Sequence, residues 1–163
     1  MYKLLSDSDA LIKLAKIGLL DDVTRAFNVE ITEEICNETV MEGKKRLYED
    51  ADKIKEFVDS KRIVIIKDKM RKIKSLIKEN LGSGELSIIN SKKRGHIIVT
   101  DDFSFTKYLQ IKKIIPISSA NLIFALKEKS ILTKHQAEDC LEKLKPYIRN
   151  DVYINVKNDM GGE

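Results

Sequence analysis

A chain of 163 residues with 42% hydrophobic and 34% charged side chains suits one folded unit with a hydrophobic core and a solvated surface. Its two cysteines, Cys36 and Cys140, lie far apart and outside any Cys/His spacing, which excludes a disulfide framework and a zinc site. Residues 1–20 are interrupted by Asp7, Asp9, Lys13 and Lys16, so neither a signal peptide nor a membrane span is expected, and the protein is expected to be cytoplasmic, without membrane contact.

In chain order, residues 2–6 predict a short strand that stops at Asp7-Ser8-Asp9. Leu11, Ile12, Ala15 and Leu19 then recur at helical spacing, and a further helical turn covers 21–27. Residues 29–31 predict a second strand. Thr32 follows as a good N-cap, with Glu33 and Glu34 placed where acids suit the helix dipole. A helix over 45–58 carries Leu47, Ala51, Ile54 and Val58 on one stripe, and the β-branched run Ile63–Ile66 predicts a strand buried on both faces. Gly82-Ser83-Gly84 is a loop with Ser83 available as a cap, and Glu85 opens the next helix. Residues 96–100 predict another buried strand ending at Asp101-Asp102. A helix follows, then a short strand over 113–118 whose Pro116 argues for an edge or an end. Two helices come next, one over 120–129 and one opened by the capping-box match Thr133-x-x-Gln136. The alternation over 152–156 predicts an edge strand or a docked tail. Strands alternating with helices imply right-handed crossovers, hence a mostly parallel sheet covered on both faces. One domain over 1–157 is expected, with 158–163 as a disordered tail.

The formal charge of +4 is unevenly spread. Residues 61–78 hold eight basic side chains against the single acid Asp68, so the remainder of the chain is net acidic. A basic stripe beside an acidic body suits a polyanion approached from one side, and it equally suits a solvated helix face.

In parallel α/β folds ligands bind beyond the C-terminal ends of the strands. Asp7 and Asp101-Asp102 fall at such ends, Glu85 opens a helix behind two glycines, and Glu38 lies on the helical segment after the second strand. Gathered carboxylates repel one another unless protonated or neutralised by a cation. An oxygen-only donor set selects Mg²⁺ or Mn²⁺, which activates water without a catalytic histidine. Each acid also has a structural reading. Asp7 and Asp9 suit a helix cap, Glu85 suits the helix dipole, Asp101-Asp102 suits a turn, and Glu38 suits solvent. His96 and His135 lack a paired Ser or Cys nucleophile, and neither a P-loop nor a dinucleotide fingerprint is present.

The segments Leu5-Ser6-Asp7-Ser8-Asp9-Ala10-Leu11-Ile12 and Leu14-Ala15-Lys16-Ile17-Gly18-Leu19-Leu20 resemble the opening of prokaryotic PIN domains. The likeness continues through Ile31-Thr32-Glu33-Glu34-Ile35-Cys36-Asn37-Glu38, the Gly-x-Gly-Glu segment ending at Glu85, and Ile97-Ile98-Val99-Thr100-Asp101-Asp102, and spans residue 3 to about residue 156. It implies a three-layer α/β/α PIN-like fold and a Mg²⁺/Mn²⁺-dependent endoribonuclease. The catalytic acids would be Asp7, Glu38, Glu85 and Asp102. Asp7, Glu85 and Asp102 would bind metal directly, and Glu38 would bind it or orient the attacking water. Ser8, Asp9, Asp101 and Ser104 would support the site. Many relatives carry a further acid where this chain has Ser104, a weak ligand that leaves a second metal in doubt. Lys69, Arg71, Lys72, Lys74, Lys92, Lys93 and Arg94 are the candidates for holding the RNA backbone. The resemblance further implies a VapC-like toxin of a toxin–antitoxin pair, an antitoxin protein as partner, and a homodimer. The rival readings are a degenerate PIN module that binds RNA or protein without cutting, a response-regulator receiver, and a toprim-type fold. The last two are poorly matched by the spacing of the acids.

Overall fold

The computed structural model describes residues 2–45, 48–67 and 81–161. Strand β1 (Lys3–Ser6) leads through Asp7 into α1 (Ser8–Lys16), whose buried Ala10, Leu11, Leu14 and Ala15 repeat at helical period. Gly18, at φ +75°, turns the chain into α2 (Leu20–Ala26). Strand β2 (Asn28–Thr32) ends on Thr32, whose hydroxyl accepts the Ile35 N–H at 3.1 Å and opens α3 (Glu33–Cys36). The helix then widens into a π-helical stretch (Asn37–Glu42) and resumes as α4 (Gly43–Lys45). Next come α5 (Glu49–Asp59), β3 (Ile63–Ile66), α6 (Ser83–Ser91), β4 (His96–Val99) and α7 (Phe103–Ile111). Helices α8 (Ser119–Glu128) and α9 (Lys134–Leu144), a 3₁₀ turn (Lys145–Tyr147) and α10 (Asn150–Gly161) complete the chain.

The four strands lie in the order β3-β2-β1-β4, all parallel. With helices on both faces, this is the expected α/β/α arrangement. Leu4, Leu5, Ile31, Ile88, Ile98 and Phe105 are almost wholly buried at its centre. Because every strand points the same way, all carboxyl ends meet at one edge of the layer.

Four local expectations differ from the structure. The strand over 113–118 shrinks to a single parallel bridge, Val99 with Ile117, where Ile117 donates to Ile98 O and its own carbonyl accepts the Thr100 N–H. Pro116, with no N–H, cannot extend the ladder. Strand β3 is not buried on both faces. It is the sheet's edge, and Val64 and Ile65 are 48% and 39% exposed. The alternating tail is helix α10, because Tyr153, Val156 and Met160, three and four residues apart, are the buried positions. Residues 158–161, expected to be disordered, form its last turn.

Candidate metal centre

Strands β1 and β4 are paired neighbours with Ser6 opposite Val99, so the residues that follow each strand arrive side by side. The Asp7 N–H donates to Val99 O at 3.0 Å. Asp7 caps α1, with Oδ1 accepting the Ala10 N–H at 2.8 Å, and the residue is 5% exposed. Asp102 caps α7 through Phe105 N–H at 2.6 Å, but it stays in contact with solvent. Thr100 links the two. Its hydroxyl accepts the Asp102 N–H at 3.1 Å and hydrogen-bonds the Asp7 carboxylate.

Glu85, in the first turn of α6, reaches back so that Oε2 accepts the Gly82 N–H at 2.7 Å. The cap is therefore Gly82, and Ser83 is the first helical residue. Glu38 comes from the π-helical stretch and lies against Gly84. Asp7, Glu38, Glu85 and Asp102, delivered by four separate segments, line one cleft of about 230 Å³. Ser8, Asp9, Ile35, Gly82 and Gly84 complete its walls, and among the described residues no Lys, Arg or His lines it.

Electrostatics follow from that composition. Burial pushes the Asp7 carboxyl up to about 7; the hydrogen bonds from Thr100 and Ala10 oppose the rise, and the charges of Asp9 and Asp101 add to it. Burial also raises Glu85; the Gly82 N–H opposes this, and the neighbouring Asp102 and Glu38 charges reinforce it. The cleft is thus a set of oxygen donors short of positive charge, the chemistry of a hard divalent ion. Among the described residues no three Asp, Glu, His or Cys side chains are drawn together into a ready-made cage. Asp7, Glu85 and Asp102 each spend an oxygen on a helix cap, so the donor type fits a hard divalent ion, which would draw its remaining ligands from water. Mg²⁺ ordinarily keeps several waters.

The flanking residues divide. Ser8 lines the cleft, whereas the hydroxyl bonded to the Asp7 carbonyl is that of Ser6, at 3.1 Å. Asp9 pairs with Lys13 at 2.6 Å. Asp101 is turned away to hold α8, accepting Ser119 N–H at 2.9 Å and Ser119 Oγ–H at 2.6 Å, with Lys13 Nζ 3.6 Å off. Ser104 is exposed on α7 and does not line the cleft. Lys92, Lys93 and Arg94 precede β4, so its four residues, at about 3.3 Å each, separate them from Asp102 by roughly 13 Å or more. They sit at the opposite end of the sheet. Lys69, Arg71, Lys72 and Lys74 lie outside the described residues.

Two cations gather on the residue that follows Asp102, at positions without a signal in the sequence. Phe103, directly after Asp102 and 46% exposed, has the Arg149 guanidinium 3.9 Å and the Lys107 ammonium 4.2 Å from its ring centre. Lys107 lies one turn along α7 and Arg149 precedes α10, far away in sequence. Thr100 was legible in principle, as a hydroxyl placed immediately before two acids at a strand end.

A family model described as a PIN domain matches residues 3–161. The chain belongs to the PIN-domain family. No curated protein and no solved structure matches it. PIN domains are generally nucleases and typically use divalent metals, which agrees with an oxygen-lined cleft at the carboxyl ends of the strands. The receiver and toprim alternatives are thereby set aside. Among the described residues of this PIN domain, no helix is long and apolar enough to cross a membrane.

Proposed function

We propose that this PIN domain is a Mg²⁺- or Mn²⁺-dependent endoribonuclease that hydrolyses RNA phosphodiester bonds. The observation that carries the reading is the shared cleft of Asp7, Glu38, Glu85 and Asp102, with no cation in its lining among the described residues. A bound divalent ion would supply Lewis acidity and a more acidic water at neutral pH. Asp7, Glu85 and Asp102 would hold the ion through the oxygens their caps leave over. Glu38 would complete that set or orient the attacking water. Thr100 keeps Asp7 and Asp102 in register. Lys107 and Arg149, gathered on Phe103 next to Asp102, would offer positive charge to the RNA, with Arg149 also paired to Asp151. Purified Asp7→Asn protein should stay folded and lose metal-dependent RNA cleavage; retained cleavage removes the mechanism.

A second reading is a PIN module that binds RNA or a protein without cutting. It is favoured by Ser104 in place of an acid and by the lack of a preformed cage among the described residues. Calorimetry with Mn²⁺ and with RNA separates the two, since RNA binding without metal binding selects the module. The toxin role, with an antitoxin partner, a homodimeric state and a cytoplasmic location, is supported by the resemblance to VapC-type chains. A small neighbouring reading frame with a DNA-binding N-terminus would favour it.

A further inference from the structure

Glu38 reaches the cleft from the π-helical stretch Asn37–Glu42, a wider turn of a kind often found at functional sites. Its neighbours face inward: Ile35, Thr39 and Val40 are buried, and Thr39 Oγ–H donates to Ile35 O at 2.8 Å. The Glu38 carboxylate lies instead against the backbone of Gly84. A Cβ built at residue 84 would stand 2.7 and 2.9 Å from the two carboxylate oxygens and 3.0 Å from Ile35 Cδ1. The oxygen separations are shorter than real Cβ atoms adopt, so residue 84 and the present position of Glu38 are compatible only without a side chain.

Which partner would yield can be read from how each is held. The first turn of α6 is fastened to the end of β2. Ser87 Oγ donates to Gly84 O at 2.7 Å and lies 2.6 Å from Thr32 Oγ1, with Ser87 and Thr32 5% and 0% exposed. Since the Ser87 proton is committed to Gly84, Thr32 is the donor in that pair, and its oxygen accepts from Ile35 N–H. One buried hydroxyl therefore ties α6 to α3. Glu38, by contrast, meets Gly84 with the far end of a flexible side chain.

We propose that Gly84 is a positioning residue whose missing side chain is the seat of the Glu38 carboxylate in the metal cleft. The proposal rests on the metal reading above for its functional consequence, but the displacement it asserts does not. The test uses the full chain carrying Gly84→Ala, Glu38→Gln, both together, and Gly84→Ala with Glu38→Asp. In a crystal structure of metal-free Gly84→Ala, the Glu38 carboxylate should leave residue 84 while the Thr32–Ser87 bond and α6 stay in place. Mn²⁺, used as the probe, should bind Gly84→Ala about 10- to 100-fold more weakly than wild type. Glu38→Gln should lose a similar factor, and adding Gly84→Ala to it should cost nothing further. The shorter acid of the Gly84→Ala/Glu38→Asp pair should restore most of the affinity, a rescue that a purely structural glycine would not give. An unmoved carboxylate, a displaced α6, wild-type Mn²⁺ affinity in Gly84→Ala, or additive losses would overturn the proposal. If the wild-type chain binds no Mn²⁺, the metal reading fails separately, and the crystal structure still decides the seat.

Discussion

Two nearly buried acids, one at each end of the same sheet, are treated in opposite ways. Glu30, the middle residue of β2, is 8% exposed and sends its carboxylate to the amino end, between Lys3 Nζ at 3.0 Å and His96 Nε2 at 3.1 Å, the first residues of β1 and β4. His96 Nδ1 accepts the Lys93 N–H at 3.2 Å, so Nε2 carries the proton and donates to Glu30. At the carboxyl end, Asp7 is 5% exposed, no cation lines its cleft among the described residues, and burial lifts its pKa to about 7. An acid supplied with internal partners is part of the framework. An acid desolvated without one raises the energy of the empty protein, and such strain is expected where an external cation is to bind.

The largest effect should come from removing each acid's charge while keeping its shape. Asp7→Asn should lower metal-dependent RNA cleavage by about 1,000-fold or more. Without metal at pH 8 it should nevertheless stabilise the fold, by at most about 4 kcal/mol, since a penalised charge is gone. Glu30→Gln should shift stability the other way by about 1 kcal/mol, a figure kept small because Lys3 is half exposed. Thermal unfolding of both variants in a chelator checks the pair of signs. If both substitutions destabilise, the contrast between the two ends is wrong. Saturating Mn²⁺ sharpens it: at about 100 times the Kd the wild type should gain roughly 2.7 kcal/mol, and Asp7→Asn far less.

A smaller effect is the pH dependence of the metal-free protein. Asp7 is raised above its unfolded value, so between about pH 4 and 7 the folded state holds a proton that the unfolded state has released. Its contribution to stability is therefore lost as pH rises through that window. His96 has the opposite sign. Burial lowers its pKa, the Glu30 charge resists, and Lys3, Lys93 and Lys92 add to the lowering. Below about pH 6.5 the unfolded state takes up a proton that folded His96 resists, and stability falls with acidification. Asp7→Asn should expose that second slope by removing the first. A flat pH profile in the variant would mean that His96 is protonated as easily folded as unfolded.

The carboxylate end was readable because its signal is local: a short apolar run followed by an acid, Leu4-Leu5-Ser6-Asp7 and Ile97-Ile98-Val99-Thr100-Asp101, on strands that any parallel sheet aligns. Glu85 and Glu38 carried weaker signals, and their place beside each other depends on Gly84, whose close approach to Glu38 spans 46 residues of chain. The structural readings of Asp7 as a cap, Glu85 as a dipole partner and Asp102 as a turn residue did not compete with the site reading, because each gives one oxygen to a helix start and leaves the other. Helix α10 was misread because Val-Tyr-Ile-Asn-Val satisfies both periods, and only Met160 extends the helical one. Strand β3 looked buried because composition shows apolar character but not which strand ends the sheet. Arg149 had no signal, since stacking on Phe103 joins residues that only the folded chain brings together.

Lys92, Lys93 and Arg94 offer the smallest and most discriminating test. Charge alone nominated them for RNA, yet they precede β4 and so share the amino end with Glu30 and His96. An RNA engaged by Asp7 and Asp102 must run past the length of a strand, about 13 Å or more, before meeting them. The triple substitution to alanine should therefore leave cleavage of an oligonucleotide confined to the cleft unchanged. On long RNA it should reduce the salt slope of binding by about 1 to 2, as fitting for two or three lost phosphate contacts on a single strand. Loss of cleavage on the short substrate would place these cations at the carboxyl end, against the fold. An unchanged slope at every length would leave them a local role, holding down the pKa of His96. In that case the acid sensitivity of the triple variant should ease, because Lys92 and Lys93 are two of the charges that lower it.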